Sequence, residues 1–79
     1  MIEVFKTNVR TKKIASKILR KLLVQYPSAK INFDLDDCDK ILRVESEEII
    51  ADEIKQTLSC YDYQCELLAV ALLLAVLVN

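Results

Sequence analysis

The spacing of apolar residues switches twice from a strand period to a helix period and back, and that order leaves few folds open to the chain. Ile2 to Val9 is rich in β-branched and aromatic residues and reads as a strand. From Thr11 to Tyr26, the residues Ile14, Ala15, Ile18, Leu19, Leu22 and Leu23 recur at spacings of three and four. Lys13, Lys17, Arg20 and Lys21 lie between them, so this is a helix with one apolar face. Thr11 is placed to cap its first turn, and Pro27 ends it by restricting Tyr26. In Ala29 to Leu35, Ile31, Phe33 and Leu35 alternate with Asn32 and Asp34, which predicts a strand with one buried face. Asp36-Asp37-Cys38-Asp39 is a turn, and Lys40 to Glu45 resumes extended structure, making a hairpin. Ser46, Glu47 and Glu48 form a helix-start signal, followed by a buried stripe of Ile50, Ala51, Ile54 and Leu58. Tyr61 to Leu67 alternates again as a last strand.

The order is therefore strand, helix, strand, strand, helix, strand. Two right-handed βαβ units sharing one sheet, with the hairpin between them, give an α+β ferredoxin-like βαββαβ sandwich: a four-stranded antiparallel sheet with both helices on one face. Residues 1–68 form this domain, and residues 69–79 are an apolar C-terminal extension that the pattern does not account for. A chain of 79 residues supports one domain with a thin core, burying only about 60–65% of the surface its unfolded form exposes. Its 53% apolar and 29% charged composition excludes disorder.

Three cysteines, Cys38, Cys60 and Cys65, are an odd number, and the charged, strand-like N-terminus does not read as a secretory signal. Reduced thiols in a cytoplasmic protein are the expectation, with Cys65 as a small core residue; a Cys60–Cys65 disulfide or thiol switch is the alternative. Histidine is absent, which removes the commonest metal ligand and the commonest general base together. Nothing pairs a nucleophile with a base, so the chain is not expected to be an enzyme, and no cofactor is implied.

The stretches INFDLDDCDKILRV and EIKQTLSCYDYQCELL, in this order of elements, resemble the middle and end of the heavy-metal-associated domains of copper chaperones and metal-pumping ATPases. The resemblance covers residues 1–68 as a pattern. It implies the same fold, and a loop of form M-x-C-x-x-C opening the first helix. Aligning Val9 with the loop methionine puts Thr11 and Ile14 at the two cysteine positions, so both thiolates that would hold a soft metal are missing. Cys60 and Cys65 are the alternative metal pair; their spacing would put them on opposite faces of an extended segment, so a chelate needs Cys60 in a curled loop. The acidic turn around Cys38 reads as solvated surface, since three aspartates without a glycine do not make a calcium loop.

Net charge is only −1, yet residues 1–30 carry eight cations against Glu3, a net of +7, and residues 31–79 carry three cations against eleven acids, a net of −8. On the first helix the bland reading is a solvated face paired to neighbouring acids. The functional reading is that Arg10, Lys12, Lys13 and Lys17 form a docking patch for a protein partner with an acidic surface. In the resembling chaperones the first helix and adjoining loop dock partners, which favours the patch. Nucleic acid is not expected: the aromatics Phe5, Tyr26, Phe33, Tyr61 and Tyr63 make no ribonucleoprotein motif, and the pI is near 5.3.

Leu67 to Val78 is an uninterrupted apolar run of twelve residues. As a helix it would reach only about 18 Å of a roughly 30 Å hydrocarbon core, so it does not span a membrane alone. Self-association through this tail is the expectation, because an exposed apolar segment of that size invites burial.

Overall fold

A computed structural model describes residues 1–68. It contains β1 (Ile2–Thr7), α1 (Lys12–Gln25), β2 (Lys30–Asp34), β3 (Ile41–Glu45), α2 (Ala51–Cys60) and β4 (Cys65–Leu67). The strands form one sheet in the order β2-β3-β1-β4, and each neighbouring pair is antiparallel. Both helices cover one face, α1 against β2 and α2 against β4. The domain is a ferredoxin-like α+β sandwich, as the periodicity predicts. The expected extension at 69–79, and the self-association attributed to it, lie outside the described residues.

Register explains which residues become core. Phe5 lies opposite Leu42 on one side and Leu67 on the other, and Val44 lies opposite Ile31. These residues share the face under the helices. Phe5, Leu42 and Val44 have no exposed surface there, together with Val9, Ile18, Leu22, Ile54 and Leu58. The alternate positions form the open face: Ile2, Val4 and Lys6 on β1, Lys30, Asn32 and Asp34 on β2, Arg43 and Glu45 on β3, and Glu66 on β4. Phe5 and Phe33 lie on the helix side, as does Tyr63, which is packed against the core.

Several element boundaries move from their expected positions for identifiable reasons. The strand expected to reach Val9 ends at Thr7, whose side chain turns the chain: its hydroxyl donates to the Lys40 carbonyl at 2.6 Å and accepts from the Val9 amide at 3.2 Å. β3 starts at Ile41 because Lys40 is left-handed, with φ of 48°. For a non-glycine residue that conformation costs about 1–2 kcal/mol. The Lys40 ammonium donates to the Leu35 carbonyl at 2.8 Å, and that bond closes the hairpin and offsets part of the cost. Asp62, with φ of 64°, makes the turn after α2, in a chain that has no glycine.

The second helix is the largest correction. Ser46 does not start it. Its amide donates to the Met1 carbonyl at 3.0 Å, extending the β1–β3 ladder by one residue, and the helix begins at Ala51 with Ile50 as an N-cap that has no side-chain acceptor. Ile50 therefore leaves the buried stripe and is 56% exposed, while Ile54 and Leu58 remain fully buried. The missing cap comes from α1. The Tyr26 hydroxyl accepts from the Ile50 amide at 3.3 Å and makes a long 3.5 Å contact to Glu53 Oε1. Nearby, Gln25 Nε2 donates to Thr57 Oγ1 at 2.8 Å, and Thr57 in turn donates to the Glu53 carbonyl at 3.0 Å. The two helices are thus joined by polar contacts from the end of α1 to the N-terminus of α2 and, at Thr57, to its second half. Leu23, expected on the apolar face of α1, sits at its rim and is 37% exposed.

Tyr26→Phe removes the one side-chain group among the described residues that meets the Ile50 amide at the α2 N-terminus. It is expected to lower the unfolding free energy by about 1 kcal/mol. Urea denaturation gives that value, and hydrogen exchange at the Ile50 amide should accelerate while the sheet amides stay protected.

Candidate docking surface on the first helix

Thr11 caps α1 as the sequence predicts: its backbone is extended and its hydroxyl accepts from the Ile14 amide at 3.3 Å. The two positions that the metal-loop resemblance assigns to cysteines are therefore joined by a capping hydrogen bond. Val9, at the methionine position, is fully buried. The loop at Asn8–Thr11 is tied to its neighbours on both sides, because the Thr7 amide donates to the Asp39 carbonyl at 3.0 Å and the Gln64 amide donates to Asn8 Oδ1 at 2.8 Å. This loop, the acidic hairpin turn and the α2–β4 turn thus sit at one end of the sheet.

Arg10, Lys12, Lys13 and Lys17 are all exposed. Helical geometry separates them. Ala15, Ile18 and Leu22 define the buried side of α1. Lys13 and Lys17 lie opposite that side, and the same outward face carries Arg20 at the next turn, while Lys21 turns to the flank that meets α2, where it lines a groove with Glu53 and Gln56. Lys12 instead turns to the flank, where it lines a groove with Ser16 and Leu19 against β2. The expected set Arg10, Lys12, Lys13 and Lys17 therefore does not share one face: Lys13 and Lys17 lie with Arg20 on the outer side of α1, Lys12 lies on the flank beside β2, and Arg10 precedes the helix. The spacings of four and three from Lys13 to Lys17 and from Lys17 to Arg20 were the signal available for the additional cation.

Among the described residues the one ion pair is Lys6 to Asp39, at 3.7 Å between half-exposed side chains. Such an exposed pair contributes little to stability. Among the described residues no carboxylate lies within salt-bridge range of the cations of α1, and the first turn of the helix carries no acidic residue. Lys12 and Lys13 sit where the helix dipole is already positive, which costs a few tenths of a kcal/mol each. Arg20 Nε donates to the Ser16 carbonyl one turn back, at 3.4 Å.

The cysteines are all free thiols, with Cys38 and Cys60 exposed and Cys65 half-buried. Cys60 is the last residue of α2 and opens onto a groove between the helices with Lys21, Gln25 and Gln56. The chain does curl between the two cysteines, through the left-handed Asp62. Cys65 lies opposite Thr7 on the helix side of the sheet. Burial there pushes its thiol up to about 12 from an ordinary 9.0, with Lys55 pulling weakly in the other direction. A soft metal at a Cys60–Cys65 pair would first have to displace that proton. Among the described residues the one cluster of three metal-type ligands is Asp37, Cys38 and Asp39. It is largely exposed, and Asp37 Oδ1 there accepts from the Asp39 amide at 2.9 Å, an ordinary turn contact.

Two measurements on the thiols follow from these positions. A thiol-reactive chromogenic disulfide is expected to titrate Cys38 and Cys60 quickly in the native protein and Cys65 only on denaturation. The pH dependence has a definite sign. A thiol whose folded pKa lies above its unfolded value favours the fold while it stays protonated, so its contribution is complete below about pH 9 and is lost as pH rises toward 12. Thermal melts should fall across that window, and Cys65→Ala should flatten the decline.

No family model, no curated protein and no solved structure matches the chain.

Proposed function

We propose that this chain is a non-catalytic interaction or regulatory module, similar in pattern to a heavy-metal-associated domain without its metal site, and that it docks a protein partner with an acidic surface on the outer face of α1. The observation that carries this reading is the stripe Lys13, Lys17 and Arg20, exposed and without a carboxylate partner among the described residues. Cations one turn apart on a helix repel one another, and Lys12 joins Lys13 at the positive end of the dipole. Local structure gains nothing from that arrangement. Uncompensated departures from local rules concentrate where a protein meets a ligand. Steering by such a stripe raises association rates with acidic partners and weakens with salt.

The metal-handling alternative at Cys60 and Cys65 has less support, because one of its two donors is a half-buried, protonated thiol. No helix among the described residues is long and apolar enough to cross a membrane. Reduced cysteines fit a cytoplasmic setting, which belongs to the same proposal.

Lys13→Gln/Lys17→Gln should weaken binding to an immobilised polyglutamate peptide about tenfold at low salt. The charge-matched control Lys6→Gln/Arg43→Gln, on the open sheet face, should retain the affinity of the native chain. Equal losses in the two variants would reduce the effect to net charge and remove the docking face. Separately, Lys13→Glu should raise the unfolding free energy by about 0.5 kcal/mol, because it puts a favourable charge in the first turn.

A further inference from the structure

β2 is an edge strand, paired to β3 without a break from Lys30 opposite Glu45 to Asp34 opposite Ile41. Its other edge has no strand partner among the described residues, so alternate residues present free backbone groups there. The strand has no proline, no bulge and no inward-pointing charge, and the charges it does carry, Lys30 at one end and Asp34 at the other, are of opposite sign. The opposite edge differs, since β4 has three residues and the chain continues beyond it.

The β2 sequence, Lys30-Ile31-Asn32-Phe33-Asp34, is complementary to itself when reversed. Lys30 and Asp34 are exposed on the open face, and neither takes part in an ion pair among the described residues. Ile31 and Phe33 are only half-buried on the helix side. Beside them, the flank of α1 and the strand form an open groove of about 350 Å³ whose apolar lining includes Ala15, Leu19, Ile31 and Phe33. Leu23, one turn beyond Leu19 on the same flank, is 37% exposed.

We propose that the occupant of this edge is a second copy of the chain, paired antiparallel through β2 about a two-fold axis at Asn32. That register sets Lys30 opposite Asp34 of the other copy, twice by symmetry, and Ile31 opposite Phe33 in the same way. The two sheets become one of eight strands, and the α1 flanks carrying Leu19 and Leu23 meet over the seam. The outward stripe Lys13, Lys17 and Arg20 is left uncovered by this pairing on each copy, so the dimer presents it twice.

Sedimentation velocity of the full chain across a micromolar concentration series tests this. Native chain is expected to dimerise. Lys30→Glu alone and Asp34→Lys alone each turn two attractive pairs into repulsive ones and should raise the dissociation constant about tenfold or more. An equimolar mixture of the two variants should recover the native affinity, because every cross-strand pair is then opposite in charge. Circular dichroism checks that each variant folds. Should Lys30→Glu, which faces Glu45 within its own sheet, fail that check, Asp34→Lys must show the loss by itself. A monomeric native chain, variants that associate like the native chain (as they would if residues 69–79 held the copies together), or a mixture no tighter than its components would overturn the proposal.

Discussion

β1 is hydrogen-bonded on both edges, to β3 through Ile2–Phe5 and to β4 through Phe5–Thr7, and Phe5, the residue common to both ladders, has no exposed surface. Both helices reach the sheet through the core that Phe5 organises with Leu42, Ile18, Leu22, Ile54 and Leu58. A chain this short has no second core to fall back on. Polar contacts then fix what the core leaves loose. Thr7 and Asn8 bind the three loops at one end of the sheet, while Tyr26 binds the start of α2 and Gln25 binds Thr57 further along it. Removing the apolar contact at Phe5 would disconnect β4 and the hairpin together, whereas each polar tie affects a single junction.

Against that economical interior, the outer face of α1 stands out because nothing in the fold requires it. The helix would form with neutral residues at Lys13, Lys17 and Arg20, and would be slightly more stable with acids in its first turn. The acids of the chain are elsewhere. Asp36, Asp37 and Asp39 are in the hairpin turn and Glu47, Glu48, Asp52 and Glu53 are at the approach to α2. The charge asymmetry of the sequence therefore persists in space as a basic helix between acidic loops. Its cations have no carboxylate partner among the described residues, and under the proposed docking a dimer through β2 would raise avidity for a partner that spans two copies.

The strand and helix order was fully legible in the sequence, because the elements carry clear periods: Ile31 and Phe33 in β2, continued by Leu35 just beyond it, and Ile14, Ile18 and Leu22 in α1. What misled was chemistry that local pattern cannot see. Ser46, Glu47 and Glu48 make a sound helix-start signal, but the Ser46 amide is claimed by the Met1 carbonyl across the sheet, and the cap is supplied by Tyr26 from twenty-four residues earlier. Lys40 gave no sign of its left-handed backbone, since the bonds that hold it come from Thr7 and Leu35. For the docking face, Lys13 and Lys17 were identifiable from spacing. Lys12, one residue away, rotates onto a different surface, and only the position of β2 decides that.

The most direct test is a nitrogen-15 chemical-shift titration of the full chain with a polyglutamate peptide at low salt. The account predicts that perturbed amides cluster from Arg10 to Lys21 and that the shifts collapse as salt is raised. Shifts confined to the Cys60–Cys65 turn or the open sheet face, or no saturable shifts at all, would contradict it.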